Sequence, residues 1–388
     1  MTEFVDGNRI TLLRSGVEYF PALEAEFDAA RREIHLETYI FEDDASGRAI
    51  ASALARAARR GVATHVMVDG FGSKYLGPGL IEELRAAGVS FLIYRPNISP
   101  WTLRRARLRR LHRKIAVIDA RVAFVGGINI IDDMNTPDQT PPRYDYAVRI
   151  EGPLVTRIYP VVKRLWALVT ATQFKSAWPQ LRELGPFTVP RGSQRSAFLV
   201  RDNLRHRRDI EQAYLAAIDN ARSEILIANA YFFPGLSFRR ALMDAAARGV
   251  RVVLLLQGRV EYVLLHYASR ALYGAFLDAG IEIQEYHKGF LHTKVAVIDC
   301  HWATVGSSNI DPFSLLLARE ANVVIEDRGF AAQLRQSLME AMEEGAAQLR
   351  REGWKDQPLT RRTITWMCYG LARLLTGVFA YGRAEEFT

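Results

Sequence analysis

The 388-residue sequence is poor in residues that mark several common classes of protein. It has two cysteines, Cys300 and Cys368, too few for a disulfide framework or a four-cysteine metal site. No segment near its start has the apolar core of a signal peptide or the length of a membrane-spanning helix. These absences exclude a disulfide-stapled mini-protein and favour a reducing compartment.

Lysine is also scarce, with 7 residues against 44 arginines, yet the net charge is +8. A basic surface favours an anionic partner such as nucleic acid, an acidic membrane or a phosphorylated substrate. A merely soluble basic surface is the alternative. With 49% hydrophobic and 24% charged residues, the chain is neither disordered nor collagen-like, and its length suggests two domains.

An internal repeat organises the chain. In each copy a strand-like segment precedes a helix-like run that ends in Gly-Val, at Gly61 and Gly249, and a β-branched segment follows. The matched segments are 31–41 with 222–233, and 53–70 with 241–258. Strands alternating with helices predict α/β layers.

The repeat continues through residues 111–130 and 291–310, each read as two strands joined by a short turn. A Pro-, Gly- and Ser-bearing stretch at 176–197 separates the copies. We predict two similar halves built of α/β layers and packed about a pseudo-twofold axis, which would bring equivalent residues face to face. Their predicted bounds are 1–185 and 195–345.

Both copies carry the pattern H-x-K-x4-D-x6-G-[GS]-x-N. Its members are His112, Lys114, Asp119, Gly126, Gly127 and Asn129 in the first copy, and His292, Lys294, Asp299, Gly306, Ser307 and Asn309 in the second. A duplicated fold that merely retains core residues is the alternative explanation. Histidine and lysine are poor core fillers, so the pattern favours a functional site.

Strand geometry assigns different places to the motif residues. A histidine and the lysine two positions later share one face of a strand. The aspartate follows seven positions later with the opposite parity, up to ~23 Å away along an extended strand. Asp119 and Asp299 stay in the candidate catalytic set as motif members, but we expect them to hold the turn or cap the next segment.

Two histidines, two lysines and two asparagines around one point suit a phosphodiester substrate. A neutral imidazole attacks phosphorus while a protonated one donates to the leaving oxygen. The lysines, with Asn129 and Asn309 as neutral donors, would stabilise charge on the non-bridging oxygens, so no metal or other cofactor is predicted. A zinc site is the competing interpretation, disfavoured because ammonium groups beside it would repel the ion.

Each catalytic histidine requires an orienting carboxylate. Asp145 and Glu320 stand at the start of the strand that follows each motif, and we predict that Asp145 orients His112 and that Glu320 orients His292. Simple structural salt bridges are the alternative. The remaining histidines show no such pattern and are interpreted as ordinary: His35, His65, His206, His266, His287 and His301.

The doubled motif resembles the phospholipase D superfamily, and within it the bacterial cardiolipin synthases of the B type. The residues that carry the resemblance are GNRITLL, LETYIF, HRKIAVIDARVAFVGGIN, YDYAVRIEGP, NAYFFPG and HWATVGSSNIDPFSL followed by EANVVI. The paired N-terminal membrane helices of A-type synthases do not precede them, which favours the B type and peripheral attachment to the cytoplasmic face of the bacterial membrane. Ser307 replaces the second motif glycine.

The resemblance implies a fold of two similar α/β domains, each a mixed sheet flanked by helices, that share one active site. It also implies phosphatidyl transfer through a phosphohistidine. His112 would attack the phosphorus of a phospholipid donor, and His292 would protonate the leaving alcohol and then activate phosphatidylglycerol to form cardiolipin. Pseudo-symmetry leaves these two roles interchangeable, and the donor is either phosphatidylglycerol or phosphatidylethanolamine. A hydrolase acting on phospholipid or nucleic acid is the alternative, although nucleic acid is disfavoured. A non-catalytic membrane-binding protein is a third class, disfavoured by two intact motifs.

Two further segments point to an acidic membrane surface. The arginines before the first motif form a predicted clamp for anionic head groups, or else a solvated basic face. The tail 361–383 is predicted to be an amphipathic helix lying in the membrane interface, or else packed on the protein's own core. The predicted substrate-binding residues are Arg104, Arg105, Arg107, Arg109, Arg110 and Ser308.

Overall fold

The computed structural model describes residues 2–96, 109–137, 139–174, 184–185, 187–202, 206–260, 263–311, 318–355 and 359–381. In the N-terminal half the elements are β1 (Val5–Arg14), α1 (Ser15–Ala29), β2 (Glu33–Thr38), α2 (Ala45–Arg59), β3 (Ala63–Asp69), α3 (Pro78–Ala86), β4 (Ser90–Tyr94), β5 (Arg110–Leu111), β6 (Lys114–Ile118), β7 (Val122–Gly126), β8 (Arg143–Tyr144), β9 (Tyr146–Glu151) and α4 (Val155–Phe174).

The C-terminal half repeats this order and adds elements at its end. They are β10 (Gln194–Arg201), α5 (Asp209–Asn220), β11 (Glu224–Asn229), α6 (Leu236–Ala247), β12 (Arg251–Gln257), α7 (Val263–Arg270), α8 (Tyr273–Asp278), β13 (Glu282–Tyr286), β14 (Phe290–Leu291), β15 (Lys294–Ile298), β16 (Trp302–Gly306), β17 (Ala318–Glu326), α9 (Arg328–Gly345), β18 (Ala346–Gln348), α10 (Arg351–Lys355) and α11 (Leu359–Tyr381).

One mixed sheet runs through both halves. Its path is β18-β13-β12-β11-β15-β16-β17-β10-β1-β9-β7-β6-β2-β3-β4, with β5 added beside β17 and a separate pair formed by β14 and β8. The halves meet where β1 runs antiparallel to β10. Within each half, strands joined through helices are parallel and the motif hairpins are antiparallel. The predicted pair of similar α/β halves is confirmed, while the exact domain bounds stay a prediction.

Successive side chains along the motif strands face opposite sides of the sheet, which explains why helices cover both faces. In β6, Ile115 and Val117 face a core shared with α4 and α9, whereas Ala116 and Ile118 face α1 and α2. Helices α5 to α8 cover the corresponding face of the C-terminal half. The glycines predicted to end the helical runs do so: Gly61 and Gly249 follow α2 and α6 with φ of +86° and +88°.

The final helix, α11, has two unlike sides. Thr365 and Ala372 are buried, and Tyr369 packs its ring 5.7 Å from that of Phe233 on the C-terminal core. The opposite side exposes an apolar stripe formed by Ile364, Met367, Leu371 and Leu374. One side of the helix therefore packs on the core, as the second interpretation expects, and contact of the exposed side with a membrane stays a prediction. Among the residues described, no helix is long and apolar enough to span a membrane.

Candidate active site

The two motif histidines are each delivered by a two-residue strand that reaches into the opposite half. β5 pairs in parallel with β17, so that the His112 N–H donates to the Arg319 carbonyl at 3.0 Å. β14 pairs in the same way with β8, and the His292 N–H donates to the Tyr144 carbonyl at 2.9 Å. His112 therefore lies beside Glu320, the residue after Arg319, and His292 lies beside Asp145, the residue after Tyr144. Each of these neighbours belongs to the half of the chain that does not contain the histidine.

That neighbouring residue is the orienting carboxylate. His112 Nδ1 lies 3.1 Å from Glu320 Oε1, and His292 Nδ1 lies 2.7 Å from Asp145 Oδ2. The predicted pairing of Asp145 with His112 and of Glu320 with His292 is wrong. The carboxylates are the predicted residues, but the strand exchange through β5 and β14 crosses the pairs between halves.

This geometry selects one tautomer of each imidazole. When Nδ1–H donates to a carboxylate, the neutral ring keeps its lone pair on Nε2. Burial lowers the pKa of both histidines, helped by Lys114 for His112 and by Lys294 and Lys114 for His292, where the shift is larger. Charge on His112 also lowers the pKa of His292, as expected when both rings line one site. Two neutral imidazoles thus present Nε2 as nucleophile or base.

The carboxylates differ in their charge state. Burial raises the pKa of Asp145 to about 6, against the lowering effect of Lys294. Burial also acts to raise the pKa of Glu320, but the charge and hydrogen bond of His112, together with Arg201, hold it below its usual value. Glu320 is therefore a fixed anion, whereas the His292–Asp145 pair gains a proton as the pH falls to about 6.

Both motif lysines are buried within the site. Lys114 Nζ donates to the His112 carbonyl at 2.8 Å and lies 5.3 Å from the centre of the Tyr39 ring. Lys294 Nζ lies 2.9 Å from His292 Nδ1 and 3.7 Å from Asp145 Oδ2. Burial lowers the pKa of Lys114 to about 7, so a bound anion would favour its charged form. The lysines supply positive charge where a phosphodiester would bind.

The motif aspartates lie at the other end of the hairpins, away from the histidines. Asp119 accepts backbone N–H donors from Arg31, Arg32 and Glu33 at 2.8–2.9 Å. Asp299 accepts in the same way from residues 222–224. Both have positive φ, +53° and +51°. Their inclusion among catalytic residues is therefore wrong, because the strand between places them out of reach, and the expected turn-holding role is observed.

The polar residues after the second motif strands have unequal environments. Asn129 Oδ1 accepts the Ile40 N–H at 3.1 Å, whereas Asn309 Oδ1 is buried and has no hydrogen-bond partner among the residues that the structure describes. Ser308 directs its hydroxyl to the Asn309 carbonyl at 3.4 Å. The proposed substrate contacts of Asn129, Asn309 and Ser308 stay predictions.

The basic segment is described only at its end. Arg104, Arg105 and Arg107 lie outside the described residues. Arg109 and Arg110 are described, and the Arg110 guanidinium stacks over Phe71 at 5.3 Å from the ring centre. Arg109 directly precedes β5 and Arg110 begins it, so both lie close to His112 in the chain. This place supports the expectation of an anionic ligand, and direct contact stays a prediction.

Sequence analysis did not predict the roles of three residues beside the site, Arg201, Ser307 and Tyr39. Arg201 Nη2 lies 3.5 Å from Glu320 Oε1, and the Ser307 hydroxyl donates to Glu320 Oε2 at 2.5 Å. Tyr39 packs against His112, with ring centres 4.8 Å apart. Two of them stand in patterns that the sequence shows: Tyr39 lies in the repeated segment 31–41, and Ser307 lies in the motif itself.

Comparisons with known proteins agree with these motifs. A family model described as "Cardiolipin synthase, PLD-like domain" matches residues 23–159 and 214–342. Cardiolipin synthase B of Escherichia coli (strain K12) is 43% identical over 333 residues, covering 86% of this chain and 80% of that protein. Cardiolipin synthase A of Proteus mirabilis (strain HI4320) is 30% identical over 387 residues, covering 96% and 76%.

A solved structure extends the likeness to the fold. Phosphatidylserine synthase of Haemophilus influenzae Rd KW20 superposes with a TM-score of 0.70 at 13% identity, covering 94% of this chain and 93% of that one. The fold and paired motifs therefore define an enzyme of the phospholipase D superfamily. More narrowly, the chain belongs to the cardiolipin synthase family of phospholipase D-like proteins.

Proposed function

We propose that this enzyme is a cardiolipin synthase of the B type, which transfers a phosphatidyl group from a phospholipid donor to phosphatidylglycerol. The observation that carries the proposal is the crossed arrangement of two imidazoles, each held by a carboxylate from the other half, with two buried lysines beside them. The identity to named cardiolipin synthases supports the lipid as substrate.

In the first half-reaction, His112 Nε2 attacks the donor phosphorus. An N–P bond forms and the P–O bond to the head-group alcohol breaks. The His292–Asp145 pair delivers its proton to the leaving oxygen through the imidazole, so no alkoxide is released. Lys114 and Lys294 stabilise the charge that builds on the non-bridging oxygens.

In the second half-reaction, the same pair works in reverse. The hydroxyl of phosphatidylglycerol gives its proton to His292 as its oxygen attacks the phosphorus. The N–P bond breaks, cardiolipin leaves, and His112 returns to its neutral form. Water in place of the lipid hydroxyl gives phosphatidic acid instead, so transfer requires that lipid occupy the acceptor position.

The electrostatic difference between the carboxylates supports this division of roles. Glu320 remains ionised and holds His112 in the tautomer that exposes a lone pair on Nε2. Asp145, with its pKa raised to about 6, keeps a transferable proton on the His292 pair. A nucleophile and a proton donor need these opposite conditions.

Peripheral attachment to the cytoplasmic face of the membrane completes the proposal. The exposed stripe of α11 offers Met367, Leu371 and Leu374 for burial among acyl chains. Arg109, directly before β5, would add attraction to anionic head groups.

A product assay tests the proposed activity. Purified full-length enzyme is given vesicles of labelled phosphatidylglycerol, with and without phosphatidylethanolamine, and the lipids are separated. Cardiolipin as main product supports the proposal, and its dependence on the second lipid identifies the donor. Phosphatidic acid alone would assign a hydrolase, and absence of any product in both mixtures would overturn the proposal. His206→Ala serves as an active control because this exposed side chain lies outside the site.

A further inference from the structure

A buried cluster of ligand-type side chains lies in the N-terminal half, beneath α4. Glu33 and His35 on β2 and His65 on β3 share one sheet face, and a ligand atom from each lies within 4.8 Å of the others. Glu33 Oε1 is 2.9 Å from His35 Nε2 and 3.7 Å from His65 Nε2. The cluster is separate from the catalytic histidines, because His35 pairs with Val117, three residues beyond Lys114 on β6.

The duplicated half provides an internal comparison. By strand register, Leu226 and Val253 occupy in the C-terminal half the positions of His35 and His65. Both are buried core residues there. The scaffold therefore accepts apolar side chains at these positions, and two imidazoles with a carboxylate are not required by the fold. Buried polar groups cost stability unless they are paired or bind something.

The carboxylate at the shared position also differs between the halves. Glu224, the counterpart of Glu33, is paired with Arg251 and Arg335 at the edge of the protein. Glu33 is buried, its Oε2 accepts the Tyr159 hydroxyl at 2.5 Å, and its Oε1 faces the histidines. A carboxylate whose second oxygen is fixed by a hydrogen bond is oriented as metal-binding carboxylates are.

From this arrangement we propose that Glu33, His35 and His65 bind a divalent transition-metal ion, with zinc the best match, through three protein ligands in the N-terminal half. Two imidazole nitrogens and one carboxylate oxygen form a common ligand set for zinc. Ligand atoms around tetrahedral zinc lie roughly 3.3 Å apart, from bonds of about 2.0–2.1 Å. The two distances from Glu33 Oε1 bracket that separation. The His35 and His65 rings stack with their centres 4.7 Å apart, so binding would require the two imidazoles to turn toward a common ion.

Aromatic side chains of α4 enclose the cluster. Trp166 and Tyr159 from α4 pack on the imidazoles, with Trp166 4.7 Å from His65 between ring centres. Lys163 directs its ammonium over the Tyr159 ring, 5.0 Å from its centre. Binding would join β2, β3 and α4, so the expected consequence is stability of this half rather than chemistry at phosphorus.

The test measures metal directly. The full chain is purified with a tag lacking histidine from cells grown with zinc, and bound metal is quantified by mass spectrometry. The variant H35L/H65V installs the residues of the other half. The matched control H206A/H301A removes two exposed imidazoles elsewhere. We expect close to one zinc per chain in wild type and control, and at least a ten-fold loss in H35L/H65V.

Two further readouts keep the proposal falsifiable if H35L/H65V does not fold. Glu33→Gln, which keeps shape but removes the anionic ligand, should lower zinc affinity at least ten-fold. Cobalt added to metal-stripped wild type should give tetrahedral d–d absorption, and zinc should raise its Tm by a few degrees but not that of the variants. Wild type that takes up no more metal than either variant, with no cobalt spectrum, overturns the proposal whatever the lipid assay shows.

Discussion

The two catalytic histidines are positioned by equivalent strand pairings, but the residues around their carboxylate partners differ. Around Glu320 stand a hydroxyl from Ser307 at 2.5 Å and the guanidinium of Arg201 at 3.5 Å. Around Asp145 stand the Tyr146 N–H at 2.8 Å and Lys294 Nζ at 3.7 Å. His112, together with Arg201, holds the pKa of Glu320 below its usual value, whereas burial raises the pKa of Asp145 to about 6. A duplicated scaffold has thus produced two chemically unlike imidazoles.

Carboxylate length and the second glycine of the motif change together. Gly127 leaves space for Asp145, since a Cβ at that position would lie 2.3 Å from Asp145 Oδ1. Its counterpart Ser307 instead hydrogen-bonds the longer Glu320. The shorter side chain of Asp145 requires a neighbour without a side chain, whereas the longer side chain of Glu320 accepts a hydrogen bond from Ser307. What looks like a tolerated variation in the motif is part of how each half positions its carboxylate.

The largest expected effect comes from removing either imidazole. His112→Ala and His292→Ala should each lower the rate of cardiolipin formation at least about 1,000-fold, because nucleophile and proton donor cannot replace one another. Initial rates from labelled phosphatidylglycerol measure this, with His206→Ala as control. A variant that keeps most of its activity would show that the two halves do not form one site.

Exchanging the small motif residues should affect the halves unequally. Gly127→Ser places atoms against Asp145 and should lower the rate roughly 10- to 100-fold by displacing the partner of His292. Ser307→Gly removes one hydrogen bond to Glu320 but leaves its contacts with His112 and Arg201, so the rate should fall by less than about 10-fold. Thermal unfolding of both variants separates a local change from misfolding. Equal effects would contradict the asymmetry.

The pH dependence should identify the proton-bearing pair. The rate at low substrate should rise with pH as His112, whose pKa is below its usual value, loses its proton and exposes its lone pair. It should fall as pH increases through about 6 to 7, where the His292–Asp145 pair loses its proton and Lys114 its charge. Asp145→Asn should abolish the decrease in rate that begins near pH 6, whereas Glu320→Gln should retain this decrease. The opposite pattern would exchange the two roles.

The smallest effect on chemistry is expected from α11, which only the C-terminal half carries. Leu371→Ser with Leu374→Ser should weaken binding to anionic vesicles about ten-fold or more, because the lost apolar burial is not screened by salt. Activity on dispersed substrate should change little. Val17→Ser with Leu236→Ser removes equally exposed apolar residues elsewhere and serves as the control. Unchanged co-sedimentation would exclude this stripe as the membrane contact.

Much of the fold and most members of the site could be predicted from local patterns. Strand and helix periodicity gave the duplicated α/β halves, and spacing alone placed Asp119 and Asp299 at the turns, where they bind backbone N–H groups. Family membership, predicted from the doubled motif, is confirmed.

The crossed pairing was beyond such reasoning, because it depends on contacts between distant parts of the chain. The residue types in β5 and β14 do not indicate that these two-residue strands pair with the opposite half. The same limit applies to Arg201, which reaches Glu320 only through the register of β10 with β17. It applies equally to His35 and His65, 30 positions apart in sequence but neighbours between parallel strands.

Nitrogen NMR of the imidazoles tests the crossed pairing most directly. With histidine labelled in the ring, His112→Ala and His292→Ala assign the two Nδ1 signals. The structure predicts that Glu320→Gln shifts the Nδ1 signal of His112 and leaves that of His292 nearly unchanged, while Asp145→Asn does the reverse. If Glu320→Gln instead moves the signal of His292 and Asp145→Asn that of His112, each half orients its own histidine and the account of a crossed site is wrong.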